Sequence, residues 1–198
     1  APEILTDLIA PSSVCVGYPL GVSAPQVQMN HSGGGSQGWE YATSANGPFT
    51  AFDPLTTHLN CGNYFLRYVV TNGCGEVSSN VVSFRVDDAP TANVQLSAMQ
   101  VCEGETLDLP EVNVTWNNED VNDRLAQWQM STTENGNFTA ISPMMPMQMS
   151  YDGNWLRYIA HNSCGDYIAG PVLIRVVAEA EDWLETIEEC DYYVLETG

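Results

Sequence analysis

Residues 66–75 read Leu-Arg-Tyr-Val-Val-Thr-Asn-Gly-Cys-Gly, and residues 156–165 read Leu-Arg-Tyr-Ile-Ala-His-Asn-Ser-Cys-Gly. Two stretches this similar, 90 positions apart, indicate that the chain contains one structural unit twice. The flanking motifs agree, because Asn-Gly-Pro-Phe-Thr-Ala at 46–51 returns as Asn-Gly-Asn-Phe-Thr-Ala at 135–140, Trp39 as Trp128, and Cys15 as Cys102. The offsets of 87 to 90 indicate small loop insertions between two copies of one fold.

The residue pattern within each copy favours short β-strands. Leu66, Tyr68 and Val70 occupy every second position, as do Val82, Phe84 and Val86, which is typical of strands with one buried face. The Asn-Gly-Cys-Gly segment at 72–75 predicts a hairpin tip, where glycine supplies the positive φ. A unit of about 88 residues suits a seven-strand sandwich. In the first copy we expect strands near 4–9, 18–24, 38–44, 49–53, 56–60, 64–72 and 79–87.

These patterns predict an all-β protein with two tandem immunoglobulin-like β-sandwich domains, at residues 1–88 and 89–178. The acidic segment Asp-Asp-Ala-Pro at 87–90 would join them. Residues 179–198 have no counterpart in the repeat and carry eight of the 25 carboxylates. We interpret them as a short acidic C-terminal extension, which is either a docked terminal element or the start of a third module.

The charge balance excludes several classes of partner and of chemistry. The chain has 25 acidic residues, five arginines and no lysine, for a formal net charge of −20. Such a surface repels phosphate backbones and anionic lipids, so we expect neither nucleic-acid binding nor electrostatic membrane docking. Without lysine there is no Schiff-base chemistry, and the three histidines (His31, His58 and His161) show no ligand or triad spacing. We therefore expect a protein that is not an enzyme and that does not insert into a membrane.

Six cysteines in a loop-rich chain without a Cys-x-x-Cys pair indicate disulfides and an exported, extracellular protein. Repeat symmetry suggests Cys15–Cys74 and Cys102–Cys164, but a strand of about eight residues spans roughly 26 Å, whereas disulfide-bonded Cα atoms lie within about 7 Å. In an end-to-end array, the base of the first copy faces the tip of the second. This favours three pairings, Cys15–Cys164 across the junction, Cys15–Cys61 at the base and Cys102–Cys190 with the extension, over the symmetric pairs, which stay open as the alternative.

Carboxylates near the linker are weak candidates for a calcium site. Asp87 and Asp88 belong to the linker, and Glu103 and Glu105 could add oxygen ligands near the junction, as could Asp120 and Asp123. No EF-hand-like spacing is present, so a solvated acidic surface is the favoured interpretation. We expect no other cofactor.

Three further expectations concern packing. Trp39 and Trp128 should belong to the core by position, and Arg67 should pair with Glu40 on the neighbouring strand. The methionine-rich segment 143–149 should place Met147 and Met149 in the core as a fifth strand, although an exposed, adhesive methionine loop is the alternative.

The order of motifs in each copy resembles a known class of repeat. Cys-x-Gly precedes a strand, followed by Trp, Asn-Gly-x-Phe-Thr, and a Leu-Arg-Tyr strand that ends in Asn-x-Cys-Gly. This pattern resembles the Ig-like and PKD-like repeats of large Bacteroidetes cell-surface proteins, including gliding-motility adhesins. The resemblance covers roughly residues 1–178 and implies an exported stalk or adhesion array, with no catalytic residue to carry over.

The function that these observations predict is non-catalytic: an extracellular binding or spacer module of a bacterial surface protein, involved in cell adhesion. Its partners would be a protein or a glycan on another surface and neighbouring Ig-like modules of the same chain. The alternative is a carbohydrate-binding accessory region of a secreted hydrolase, with its ligand on loops 31–38 or 143–150.

Overall fold

The structure is a computed structural model that describes residues 1–30, 34–56 and 58–178. The predicted extension at 179–198 lies outside these residues, and so does part of the glycine-rich loop at 31–38. Helix is confined, in the described part, to two one-turn 3-10 segments, Val121–Asp123 and Met149–Tyr151. None of the described helices is long or apolar enough to cross a bilayer.

Eight strands form in the part of the first half that the structure describes. They are β1 (Glu3–Ile4), β2 (Ser13–Cys15), β3 (Val27–Gln28), β4 (Gly35–Ala42), β5 (Thr50–Phe52), β6 (Gly62–Asn72), β7 (Gly75–Ser78) and β8 (Val82–Asp87). The described residues of the second half form seven: β9 (Thr91–Ala92), β10 (Met99–Cys102), β11 (Val114–Thr115), β12 (Leu125–Ser131), β13 (Thr139–Ala140), β14 (Trp155–Asn162) and β15 (Gly165–Val177).

Strand order is the same in both halves. The main sheet runs β2-β8-β6-β4-β5 in the first and β10-β15-β14-β12-β13 in the second. In each, the leading strand pairs in parallel with the last strand while the other pairs are antiparallel. A two-stranded sheet accompanies each, β1 with β3 and β9 with β11. The protein is thus all-β, with two tandem immunoglobulin-like β-sandwiches.

Each half has its own apolar interior. The first is built around a fully buried Leu66 with Leu8, Leu20, Phe52, Phe84 and Val86. The second is built around a fully buried Leu156 with Val101, Leu107, Trp128, Met130, Met147, Tyr158, Ala160, Ala169, Ile174 and Val176. No buried residue of either set comes from the other half, as two copies of one sandwich unit require.

Two predicted strands do not form. The structure has no strand at 18–24 or in the described residues of 56–60, although Leu20 is buried and Leu59 is half-buried. Leu20 donates one backbone hydrogen bond to Pro54 O, at 3.0 Å. Apolar residues therefore cover the core here through irregular chain, because burial of a side chain does not require its backbone to join a ladder.

The prediction for the methionine segment is half right. Met147 is 1% exposed and lies in the core, but Met149 is 44% exposed and begins a 3-10 turn, so no fifth strand forms. An isolated bridge between Thr106 and Pro146 is the only β-pairing of this segment. Proline has no N–H to donate to a ladder, and Pro143 and Pro146 both interrupt the run.

The predicted ion pair between Arg67 and Glu40 is confirmed, with Nε donating to Oε2 at 2.8 Å. The same guanidinium lies 4.3 Å from the ring centroid of Phe49, the aromatic residue of the Asn-Gly-x-Phe-Thr motif. The second half repeats the arrangement. There Arg157 donates to Gln129 at 2.9 Å and lies 4.1 Å from the centroid of the Phe138 ring. The Leu-Arg-Tyr and Asn-Gly-x-Phe-Thr motifs recur together because the arginine of the first stacks on the phenylalanine of the second.

The repeated tryptophans lie on the strand beside this arginine. Trp128 is 7% exposed, as predicted for a core residue, whereas Trp39 is only partly buried against its core. Each makes an edge-to-face contact with a tyrosine across the sheet, Tyr68 at 4.9 Å and Tyr158 at 5.1 Å between ring centroids. Both indole rings therefore pack against a tyrosine ring of the neighbouring strand.

Truncating the centre of one core should destabilise the protein strongly. We expect Leu66→Ala to lower the free energy of unfolding by about 2–5 kcal/mol, because a side chain with no exposed surface leaves a cavity. The measurement is urea denaturation followed by intrinsic fluorescence. Leu55→Ala, at a position 72% exposed, is the control and should change it by no more than about 0.5 kcal/mol. Equal effects of the two changes would contradict this core.

The contact of Arg67 with Phe49 should contribute more to stability than its ion pair with Glu40. We expect Arg67→Lys to lower the free energy of unfolding by about 0.5–1 kcal/mol, because the planar contact with Phe49 is lost while the charge remains. Glu40→Gln is the comparison, since the second half has Gln129 at this place, and it should have the smaller effect. The reverse ranking in urea denaturation would show that the ion pair dominates.

Candidate functional site

The junction between the two sandwiches contains a disulfide, several hydrogen bonds and an ion pair. A disulfide joins Cys15, the last residue of β2, to Cys164, at the tip of the hairpin between β14 and β15. Their Cα atoms are 5.4 Å apart, and the two residues are 149 positions apart in sequence. The covalent bond therefore links the base of the first sandwich to the tip of the second, which is the junction pairing considered from the sequence.

The Asn-x-Cys-Gly motif positions the second cysteine. The side-chain oxygen of Asn162 accepts a hydrogen bond from the backbone N–H of Cys164 at 2.9 Å, which fixes the turn. Gly165 follows at φ +146°, a conformation that favours glycine. The amide nitrogen of Asn162 donates to the carbonyl of Asp88 in the linker at 2.8 Å. Asn162 has no exposed surface, so this one side chain ties the hairpin tip to the linker.

Asn117 binds the linker from the other side. Its carbonyl accepts the backbone N–H of Asp88 at 3.0 Å, and its side-chain amide donates to the carbonyl of Ala89 at 2.7 Å. The thiol of Cys61, at the base of β6, donates to the same Asn117 carbonyl at 3.4 Å. The linker thus has hydrogen-bond partners on consecutive residues and does not rely on the disulfide alone.

Arg85 adds an ionic contact across the junction. It pairs with Asp87 of its own strand at 2.6 Å and with Glu119 of the second half at 2.8 Å. Asp87 is 8% exposed, so its charge needs this partner, whereas the Glu119 side chain is 70% exposed. The contact to Glu119 therefore contributes only about 0–1 kcal/mol.

A second cluster holds the hairpin tip against its own sandwich. Asn118, 3% exposed, donates to Asp123 Oδ2 at 3.3 Å and accepts from Arg124 Nε at 3.1 Å. Asp123 Oδ2 also accepts the backbone N–H of Ser163 at 2.9 Å. Hydrogen bonds from Ser163, its backbone N–H first, hold the pKa of Asp123 below its usual value. Because the pKa of Asp123 is lowered in the folded state, its carboxylate stabilises the fold above about pH 4. This stabilisation is lost as the pH falls further.

The structure separates the calcium candidates. Asp87 and Asp88 lie at the junction, but Glu103 and Glu105 follow Cys102, which pairs with Val177 at the far end of β15 from Cys164. The thirteen residues of β15 span about 40 Å. The expectation that Glu103 and Glu105 lie near the junction is therefore wrong. Asp87 is engaged by Arg85, and Glu103 accepts a backbone N–H from Met149. Among the described residues, no group of three or more His, Cys, Asp or Glu side chains could hold a metal ion.

The remaining cysteines make no disulfide in the described part of the chain: Cys61, Cys74 and Cys102 are free. The alternative Cys15–Cys61 pair is excluded by the sheet, because β8 lies between β2 and β6 and Cys15 pairs with Asp87. Two strand spacings are about 9.6 Å, beyond the reach of a disulfide. Partial burial raises the pKa of the Cys61 thiol. The proposed Cys102–Cys190 pair falls on a residue outside the described ranges.

Comparisons with known proteins identify no family. No protein-family profile and no curated protein matches the sequence. Among solved structures, a mutated three-domain immunoglobulin fragment of titin aligns over 90% of this chain and 66% of its own, with 13% identity and a TM-score of 0.46. Immunoglobulin domains 1–4 of Sidekick-1 align over 90% of this chain and 48% of theirs, with 16% identity and a TM-score of 0.43.

The insect immune protein hemolin is similar at the same level, with 14% identity, a TM-score of 0.42, and 91% of this chain aligned to 52% of hemolin. The chain spans from about half to just under two thirds of these three structures. Because the identities are low and the TM-scores lie below 0.5, the fold assignment here depends on the chain's own strand order.

Sequence reasoning found the two bonded cysteines but missed the asparagines. Asn162 carried a detectable signal, since Asn-x-Cys-Gly occurs in both copies with Asn72 in the same place. Asn117 and Asn118 carried only the weaker signal of an Asn-Asn doublet before acidic residues. Their role depends on where the linker passes, which no local pattern encodes.

Removing the junction disulfide should be costly and specific. We expect Cys164→Ser to lower the free energy of unfolding by about 2–5 kcal/mol, because the bond closes a loop of 149 residues. Thermal and urea unfolding under non-reducing conditions measure it. Cys74→Ser is the matched control, since it changes the equivalent hairpin tip of the first half, where no disulfide is present. A loss of similar size in both variants would indicate that the hairpin turn, and not the covalent bond, is responsible.

Proposed function

We propose that this chain is a non-catalytic extracellular segment of a bacterial surface protein, in which two sandwich domains, 1–88 and 89–178, are held end to end as a stiff spacer for cell adhesion. The observation that carries the proposal is the Cys15–Cys164 disulfide. A disulfide inside one domain stabilises that domain only. A disulfide between domains also limits how they move relative to each other.

The physical argument starts from what a linker alone would allow. Two domains joined by a short peptide move relative to each other unless their interface is large and apolar. Here the two buried clusters share no residue, and polar contacts join the halves: hydrogen bonds from Asn162 and Asn117, the Arg85–Glu119 pair and the Cys61 thiol. Each of these contributes about 1 kcal/mol. The covalent bond, which does not open thermally, is the contact that restrains the hinge.

Charge and redox chemistry support an exported location. Disulfides persist in oxidising compartments, and a net charge of −20 keeps a surface-displayed segment soluble and self-repelling. The resemblance to Bacteroidetes surface repeats points to the outside of a bacterial cell. In that setting the partners are neighbouring Ig-like modules of the same chain and a protein or glycan on another surface.

Small-angle X-ray scattering tests the spacer role. We expect the wild-type chain to give a narrow distribution of radii of gyration, and Cys164→Ser to broaden it and extend its upper limit, because only hydrogen bonds and one surface ion pair then hold the hinge. Cys74→Ser should scatter like wild type, since Cys74 is free.

Superimposable scattering from wild type and Cys164→Ser would remove the support for a disulfide-stiffened spacer. Glycan-array screening of the wild-type chain tests the alternative function, carbohydrate binding. Saturable binding of a defined sugar would favour a carbohydrate-binding accessory region instead.

A further inference from the structure

Two free cysteines occupy the repeat positions of the two bonded ones. Cys102 is the counterpart of Cys15 at the base of the second sandwich, and Cys74 is the counterpart of Cys164 at the tip of the first. Within one chain these two cannot meet, because they lie at opposite outer ends. Each therefore occupies, in its own copy, the place where the other copy has a disulfide-bonded cysteine.

Cys102 has the local geometry of Cys15. Both end the short strand that pairs in parallel with the last strand of the sandwich, with Cys15 beside Asp87 and Cys102 beside Val177. In both cases the next residue donates its backbone N–H to the partner of the cysteine, Val16 to Asp87 O and Glu103 to Val177 O, each at 2.8 Å. The backbone around Cys102 therefore has the arrangement that places Cys15 in its disulfide.

Cys74 has the local geometry of Cys164. Its backbone N–H donates to the side-chain oxygen of Asn72 at 2.9 Å, the same distance as from Cys164 to Asn162. The Cys74 residue is exposed. Where the amide of Asn162 reaches the linker carbonyl, that of Asn72 donates to Met29 O at 2.9 Å. The Asn-x-Cys turn that exposes Cys74 is therefore formed although Cys74 has no disulfide partner among the described residues.

The chain also enters the first sandwich as the linker enters the second. A Cβ added at Gly165 would lie 3.2 Å from the Cβ of Ala89, and one added at Gly75 would lie 3.9 Å from the Cβ of Ala1. Ala-Pro begins both copies, at 1–2 and at 89–90. A unit preceding Ala1 would thus deliver its base to Cys74 along the path that brings Cys15 to Cys164.

The sequence of the extension agrees with this register. Cys190 follows Cys102 by 88 residues, and Cys102 follows Cys15 by 87. Cys190 is therefore spaced as the base cysteine of a third unit and not as a partner placed for Cys102.

We propose that Cys74 and Cys102 are the two open halves of a repeating junction, each forming a disulfide with a further in-line Ig-like unit of the same kind: Cys102 with the Asn-x-Cys-Gly tip of the next unit, and Cys74 with the base cysteine of the preceding one. This inference rests on the proposed spacer function and extends it to an array in which a disulfide joins each pair of neighbouring units. Each bond forms by thiol–disulfide exchange. A thiolate attacks oxidised glutathione or an equivalent disulfide, and the second thiolate displaces the remaining glutathione, so two thiols are oxidised and two glutathione thiols are released.

A tandem fusion tests this, with residues 1–178 followed directly by the full chain 1–198. Joining Ala178 to Ala1 reproduces the spacing of the natural linker. Cys102 of the first copy lies 76 residues before Ala178, and Cys74 of the second copy follows 74 residues after it, a separation of 150 against 149 for the native pair. The fusion is oxidised in a glutathione redox buffer and its disulfides are mapped by non-reducing peptide mass spectrometry.

We expect one new linkage, from Cys102 of the first copy to Cys74 of the second, beside Cys15–Cys164 in each copy. Cys102→Ser in the first copy should abolish it, and Cys61→Ser, the matched control, should leave it unchanged. If the native pairs form but this linkage does not, or if Cys102 pairs with Cys190 in the unfused chain, the array is overturned while the two-domain spacer remains. If the native pairs do not form in the unfused chain, the spacer proposal itself fails.

Should the fusion not fold, oxidation of the unfused chain at high concentration applies the same criterion. End-to-end Cys102–Cys74 links between chains support the proposal. Links between Cys74 residues only, or no links, overturn it.

Discussion

The length of the central strand is the constraint on which the rest of the structure depends. β6 and β14 run the height of their sandwiches and contain the fully buried Leu66 and Leu156, and each strand ends at a cysteine-bearing hairpin tip. Cys15 in the first copy and Cys102 in the second lie at the opposite end, beside the last residue of the last strand. Because eight to eleven residues of strand span about 26–36 Å, the base cysteine and the tip cysteine of one copy cannot form a disulfide with each other. A bond made by these cysteines must therefore join one unit to another.

That geometry changes what the disulfide does. In a small secreted domain, a disulfide compensates for a core that is too small. Here each copy has its own buried cluster, and the bond joins the two copies at their junction. The hydrogen bonds from Asn117 and Asn162 set the path of the linker, and the covalent bond sets how far the two ends can separate.

Positive charge is scarce in this chain, and its placement is informative. Of five arginines, Arg67 and Arg157 brace equivalent strands by stacking on Phe49 and Phe138, while Arg85 and Arg124 lie near the junction. The second half replaces Glu40 with Gln129 and keeps the stack, which indicates that the aromatic contact matters more there than the ion pair. A chain with a net charge of −20 thus uses its few cations to neutralise buried or crowded acids and to hold the sheet face.

The sequence by itself determined the repeat, the all-β class, the hairpin tip at 72–75, the buried face of β6 and the pairing of Arg67 with Glu40, because each follows from local periodicity or from turn chemistry. Its geometric limit on strand length also favoured a disulfide at the junction or the base over one within a copy. Only the tertiary structure selected Cys15–Cys164, since the choice depends on β8 lying between Cys15 and Cys61 and on the path of the linker. The irregular chain at 18–24, the exposed Met149, and the separation of Glu103 and Glu105 from Asp87 and Asp88 were also decided there. Apolar character predicts that a residue is covered, but it specifies neither a hydrogen-bonding partner for the backbone nor the end of the sandwich at which a side chain will lie.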